Sequence, residues 1–522
     1  MTVHAAGTAL AAARRGCPRA PRFVGLLGVS LLVAVGVVAA QSRVSGVVES
    51  PDPQAAPVQV GAPAPVADEV ADPPRLRLAL DVAALEHLRP GYRFWRHIFL
   101  IPDGAIAFGS PVDGRLLATV PARGPADAFT WQDPMVARLL EGRALPRETT
   151  RRRDEVARLL EPGFGLVLHN PTRGRFLRPN AERYGGFLTD WGAIYERFGV
   201  PAELGLAQAA VESGLNGTIR SEARAIGFCQ WLSRNWDRLK RLSPDVLEGY
   251  NQTTQAPYCA AYLSILATKY GSFIPALSEH HTGGANVRRA IVNGERLGAT
   301  DVREQYLLGG AFARDLRTLA PGTFSDVYGT YGPRSFAYAE MVFANTQTMT
   351  ELAASTPQAR VFAMRTTRAL PLAEITRRTG LPAAEVRRFN PALVSRVPAR
   401  ATVYLPMHVP AFGRDVAFWQ RPAPQGYQAV LDEFLQLDAT VDDWDAPAFD
   451  AVLSGFARRF AATRSEEGTI MATTLAYVSQ ERRLNREAGI IEAFRTSDRV
   501  RRQFDEARRV WEAHLATRPS AQ

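Results

Sequence analysis

Lysine is nearly missing from this chain of 522 residues: Lys240 and Lys269 are the only two. The formal net charge of +10 is therefore carried almost wholly by arginine. Such a balance suits anionic surfaces in general, whether membrane headgroups, nucleic acid or an acidic polymer. No stripe of basic residues interleaved with aromatics accompanies it, and no nucleic-acid motif, so nucleic acid is not an expected partner. Cysteine is equally sparse. The three cysteines include no CxxC pair and no neighbouring histidine cluster, so neither a metal nor a cofactor is expected. Long apolar runs are also lacking, with one exception at the N-terminus.

That exception runs from Phe23 to Ala40, behind Arg14, Arg15, Arg19 and Arg22. Basic residues ahead of an apolar stretch mark an export signal, and Val38-Ala39-Ala40 before Gln41 fits a small-residue cleavage site. The run is also long enough to span a bilayer uncleaved, so residues 1–41 are read as signal peptide or membrane anchor, with both left open. Cys17 precedes the run, so no lipid-acceptor cysteine ends it. Residues 42–74, rich in Pro, Ala and Val, read as an extended linker. In an oxidising compartment the two remaining cysteines, Cys229 and Cys259, either pair or stand as buried thiols.

The chain of 522 residues is long enough for about two to four domains. Residues 75–179 are mixed α/β: Asp103-Gly104 and Asp113-Gly114 punctuate short apolar runs as hairpin turns do. No chemistry is read there, and the region is expected to pack on the next domain. From 180 to 350 the pattern is helical, with Phe187, Trp191, Ile194, Tyr195 and Phe198 at helical spacing. Pro201 fits a helix start, and Leu204, Ala207, Val211 and Leu215 form an apolar stripe. Gly214 and Gly217 stand where helices stop. Glu212 falls in the last turn, where the negative end of the helix dipole disfavours ionisation and pushes a carboxyl pKa upward. An acid held protonated near neutrality is what general-acid chemistry needs.

Glu212-Ser213-Gly214, followed by Ser221-Glu222-Ala223-Arg224-Ala225-Ile226-Gly227-Phe228-Cys229-Gln230, resembles the transglycosylase domain of lytic murein transglycosylases. Arg224 stands where that family has Gly. The segment Ala276 to Ile291 resembles a further signature of the family, with His280 and His281 at its Tyr-Asn positions. Nearby charged imidazoles would favour ionised Glu212 and lower its pKa. Ser335 to Ala339 resembles the last signature, a helix whose Tyr approaches the catalytic Glu. The resemblance implies a lysozyme-like domain with Glu212 as catalytic acid and base. It implies substrate contacts from Ser213, Ser221, Gln230, Tyr262, His280, His281 and Tyr338, and peptidoglycan glycan strands as partner, in the periplasm or cell envelope.

Residues 359–408 read as strand, two short helices begun by Pro371 and Pro382, and a second strand at Val403 to Pro406. Ile375, Gly380, Val386, Asn390-Pro391 and Leu405-Pro406 resemble a LysM glycan-binding module, although Thr367-Arg368-Ala369-Leu370 replaces its usual Gly-Asp-Thr-Leu. A plain βααβ spacer is the alternative. Residues 424–517 read as helical, with Phe504, Ala507, Trp511 and Leu515 in a stripe facing the core or a partner, or lying on a membrane. The expected class is α+β, mainly α. Beside the transglycosylase stand two other readings: a hydrolase using Glu222, Asp237 or Glu279 as second carboxylate, and a catalytically silent glycan-binding or scaffolding protein.

Overall fold

The computed structural model describes residues 72–124, 130–242, 250–328 and 335–517; the apolar segment and nearly all of the linker lie outside them. Among the described residues no helix is long and apolar enough to cross a membrane. The first helix, Pro73–Leu88, begins inside the stretch read as linker, because Pro73 and Pro74 occupy the first turn, where a missing N–H leaves no bond unmade.

The Asp-Gly turns deliver the expected small sheet. Ala105–Gly109 pairs antiparallel with Leu116–Pro121, in the register Ala105 to Pro121, with Asp113-Gly114 in the turn between. Thr130–Trp131 and Leu168–Pro171 flank the pair, giving four strands. One face carries Ile106, Phe108, Leu117 and Val120 against Val156 and Leu160 of the helix Thr149–Phe164. Arg152 on that helix is fully buried, because its guanidinium finds the carbonyls of Pro146, Pro121 and Gly124 at 2.6–2.7 Å.

The helix Ala202–Ser213 lies at the centre. Pro201 precedes it as the cap rather than opening it, and Gly214 ends it in the left-handed region at φ 58°. A β-carbon at Gly214 would sit 2.0 Å from the Phe176 carbonyl oxygen, so this stop tolerates no side chain. The apolar stripe proves too narrow a description: every residue from Leu204 to Val211 is buried. Leu188–Glu196 packs on one side and Tyr338–Ser355 on another. Around it run Gln252–Tyr270, Phe273–Thr282, Gly284–Arg296 and Val302–Leu319.

The N-terminal helix is built into this bundle. Its fully buried Asp81 accepts from the Ser272 hydroxyl and the Phe273 N–H, both at 2.6 Å, at the start of Phe273–Thr282, and pairs with Arg303. Burial pushes the Asp81 carboxyl up to about 6, against Arg303 and the two hydrogen bonds.

The βααβ order appears as read. Phe362–Thr366 and Thr402–Leu405 pair antiparallel, and Leu372–Thr379 and Ala383–Phe389 lie between them. A third strand, Gly413–Asp415, joins the other edge of Phe362–Thr366 and was not read from the sequence. The module has its own small core and is fixed to the bundle. The Tyr404 and Thr254 hydroxyls are 2.6 Å apart, and the Phe187 and Phe389 rings 4.7 Å.

The C-terminal helices share the central core. Phe504 and Trp511 set their rings against Phe312, and the Trp511 indole donates to Asp315 at 2.9 Å. The stripe therefore faces the core, and it ends before Leu515, which is exposed. The helix Glu466–Asn485 lies against Gln252–Tyr270 and Ser233–Leu242.

Candidate active site

Glu212 occupies the last turn of its helix with its side chain 12 % exposed. Three side chains converge on one carboxylate oxygen, Oε1. The Tyr338 hydroxyl donates to it at 2.6 Å. His280 Nε2 lies 3.5 Å away and His281 Nδ1 3.9 Å. Tyr338 is the first residue of Tyr338–Ser355, and the histidines end Phe273–Thr282. Consecutive residues on a helix both reach Oε1 because that carboxylate sits beside the helix end. The His281 ring also stacks on Tyr338, with centroids 4.3 Å apart and planes 2° from parallel.

The expectation that the helix end would raise the Glu212 pKa is overturned. Burial pushes the carboxyl up, but the His280 hydrogen bond, the charges that His280 and His281 carry when protonated and the Tyr338 hydroxyl together hold it below its usual value. His281 itself is pushed below its ordinary value by burial and by His280, against the pull of Glu212. Tyr338 is held well up, by burial and then by its contact with Glu212, so its hydroxyl keeps its proton.

The segment after the helix returns as a tight loop. Arg220 bridges to Ile226, and Ala225–Ile226 pairs with Trp231–Leu232. Arg224 sits at φ 63°, a left-handed backbone that suits glycine and costs other residues. Gln230 is also left-handed, at φ 50°. Ser221 Oγ accepts from the Ala225 N–H at 3.0 Å, and Gln230 donates to the Gly227 carbonyl at 2.9 Å. These contacts shape the loop. Ser213 is fully buried and donates to the Ala209 carbonyl at 2.8 Å within its own helix. Tyr262 is half-buried, with its ring 6.0 Å from His280 and 5.2 Å from Trp231.

Of the residues expected at the site, the structure gathers Glu212, His280, His281 and Tyr338 into direct contact, with Tyr262 one ring away. Cys229 and Cys259 are joined as a disulfide, which settles the open alternative. The Cys229 carbonyl lies 3.0 Å from His280 Nε2. Trp231 was not singled out in the sequence, yet its indole N–H reaches His280 Nδ1 at 3.4 Å. Its place directly after Gln230 was the only available signal.

Among possible second carboxylates, Glu222 and Asp237 are exposed, while Glu279 is buried and engaged by Lys269, at 2.8 Å, and by the Tyr270 hydroxyl. Among the described residues no group of three or more His, Cys, Asp or Glu side chains is arranged to hold a metal ion.

The family model of the transglycosylase SLT domain matches residues 190–301. No curated protein matches the chain. The matched stretch includes Glu212, Gln230, Tyr262, His280 and His281, and Tyr338 lies beyond it. The fold is thus α+β and mainly helical, with a lysozyme-like transglycosylase domain at its centre.

Proposed function

We propose that the chain is a lytic transglycosylase of the cell envelope, cleaving peptidoglycan between N-acetylmuramic acid and N-acetylglucosamine through Glu212 alone. The observation that carries this reading is the convergence of Tyr338, His280 and His281 on Glu212 Oε1 within the SLT-matched region and the helix that follows it.

Two-carboxylate hydrolysis needs a second acid about 5–10 Å from the first. The contacts of Glu212 are imidazole and phenol, and Glu279 is committed to Lys269 and Tyr270. On this reading one carboxyl serves twice. Glu212 gives its proton to the glycosidic oxygen as the C1–O bond breaks. The resulting carboxylate takes the proton of the muramyl C6 hydroxyl as that oxygen bonds to C1. A 1,6-anhydro ring forms, no water is consumed, and Glu212 ends protonated as it began. Attack from within the same sugar gains from proximity. With the Tyr338 hydroxyl donating to Oε1 and both imidazoles beside that oxygen, Oε2 is the oxygen we assign to both transfers. The phenol and the imidazoles stabilise the anionic form between the two steps.

Export through the N-terminal segment would bring the chain to its substrate. The βααβ module is proposed as a LysM-like glycan grip, with Arg368 and Glu374 paired at the turn where the family carries Gly-Asp-Thr-Leu.

Mass spectrometry of purified peptidoglycan after digestion tests the reading. Anhydromuramyl ends are expected, and Glu212→Gln should lower their release at least about 100-fold, the usual scale of a general acid's contribution. Reducing ends, or full release by the variant, would overturn it.

A further inference from the structure

The indole of Trp231 is a hydrogen-bond donor and never an acceptor. Its contact with His280 Nδ1 therefore requires a lone pair on that nitrogen. The other ring nitrogen, Nε2, faces two acceptors, the Cys229 carbonyl at 3.0 Å and Glu212 Oε1 at 3.5 Å. A donor at one nitrogen and acceptors at the other define one form of the ring: neutral imidazole with its proton on Nε2.

Trp231 is itself held from a distant part of the chain. Tyr477, on the helix Glu466–Asn485, stacks on the indole with centroids 5.7 Å apart and planes 21° from parallel. Tyr477 is buried, and Trp236 and Tyr262 close the other sides of the indole at 4.9 and 5.2 Å.

We propose that Trp231, braced by Tyr477, is a positioning residue that keeps His280 neutral with its proton on Nε2, so that His280 acts toward Glu212 as a donor without charge. One C-terminal helix, Glu466–Asn485, thereby supports the site through Trp231. The consequence for turnover rests on the proposed function; the form of the ring does not. A neutral His280 leaves Glu212 able to hold its proton, as a general acid must, whereas a charged one favours the carboxylate. The titratable groups facing His280 are Glu212 from the central helix, His281 from its own helix and Tyr262 from Gln252–Tyr270.

The test is a long-range proton–nitrogen correlation spectrum of the full chain labelled with 15N-histidine. The His280 signal is identified by its loss in His280→Gln. At neutral pH the unaltered protein should show His280 with a bare Nδ1 and a protonated Nε2. Trp231→Phe keeps the ring but removes the donor, and His280 should then take a proton on Nδ1. The alkaline limb of the pH–rate profile should move to lower pH. Tyr477→Phe should match the unaltered protein, and Tyr477→Ala should behave as Trp231→Phe. A proton on Nδ1 in the unaltered protein overturns the proposal without recourse to any variant. So does an unchanged His280 spectrum in Trp231→Phe. If the chain releases no anhydromuramyl ends yet shows the expected spectrum, the proposed function fails while this assignment stands.

Discussion

At its first turn the helix Phe273–Thr282 receives Asp81, and at its last it presents His280 and His281 to Glu212. Both carboxyls are held among several donors, yet their affinities for protons move in opposite directions. Asp81 is pushed up to about 6, because burial outweighs Arg303, Ser272 and the Phe273 N–H. Glu212 is held down when its two imidazoles are protonated, because their charge and the phenol together outweigh its burial. Donors alone do not decide the state of a buried acid; the balance with desolvation does. The first carboxyl joins one helix to another. The second gathers side chains from two other helices onto one oxygen.

Removing the anchor should have the largest effect on stability. Asp81→Ala leaves Arg303 without its buried partner and should cost about 3–5 kcal/mol, read by denaturant unfolding. A cost below about 1 kcal/mol would mean that the helix is held by its other contacts, among them Arg75 with Glu196 and Glu203.

The pH dependence of stability separates the two carboxyls more finely. Asp81, raised in the folded chain, contributes stability that is complete below its unfolded value of 3.8 and lost as pH rises through about 6. Glu212, lowered in the folded chain, contributes stability present above 4.5 and lost as pH falls through its folded value. Asp81→Asn should flatten the fall between pH 3.8 and 6 and leave the acid side unchanged; a fall that persists in the variant belongs to another group.

At the other end, His281→Asn removes a charge that favours ionised Glu212. The acid should keep its proton to higher pH, moving the alkaline limb of the pH–rate profile upward. A limb that stays in place would show that His281 is neutral throughout the working range. The smallest effect is expected at Arg224→Gly. Relief of the left-handed backbone, less the entropy that glycine loses on folding, should stabilise the fold by about 0.5–1 kcal/mol, visible as a small rise in the denaturant midpoint.

The elements nearest the site were largely legible. Gly214 ends its helix in a left-handed conformation, as its position indicated. The two short helices of the βααβ module start directly after Pro371 and Pro382. The glycine expected at Arg224 has its reason in φ 63°, a backbone property that a side-chain pattern expresses only as a residue preference. Glu212, His280, His281 and Tyr338 were named from motif positions, and their meeting on one oxygen needed the fold. The sequence could not show that Leu204 to Val211 would be buried on every face, because such a helix carries no amphipathic signal. It also gave no sign of Tyr477, whose contact with Trp231 joins segments far apart in the chain. Long-range packing of this kind leaves no local periodicity to read.

The Cys229–Cys259 bridge does more than join a loop to a helix, since the carbonyl of Cys229 is one of the acceptors at His280. Closing a loop of 30 residues is worth about 3–4 kcal/mol in chain entropy. A chain still reduced must hold that carbonyl in place by packing alone. Full order at the site is therefore tied to the redox state of the surroundings, and a chain kept in a reducing compartment would lack that support.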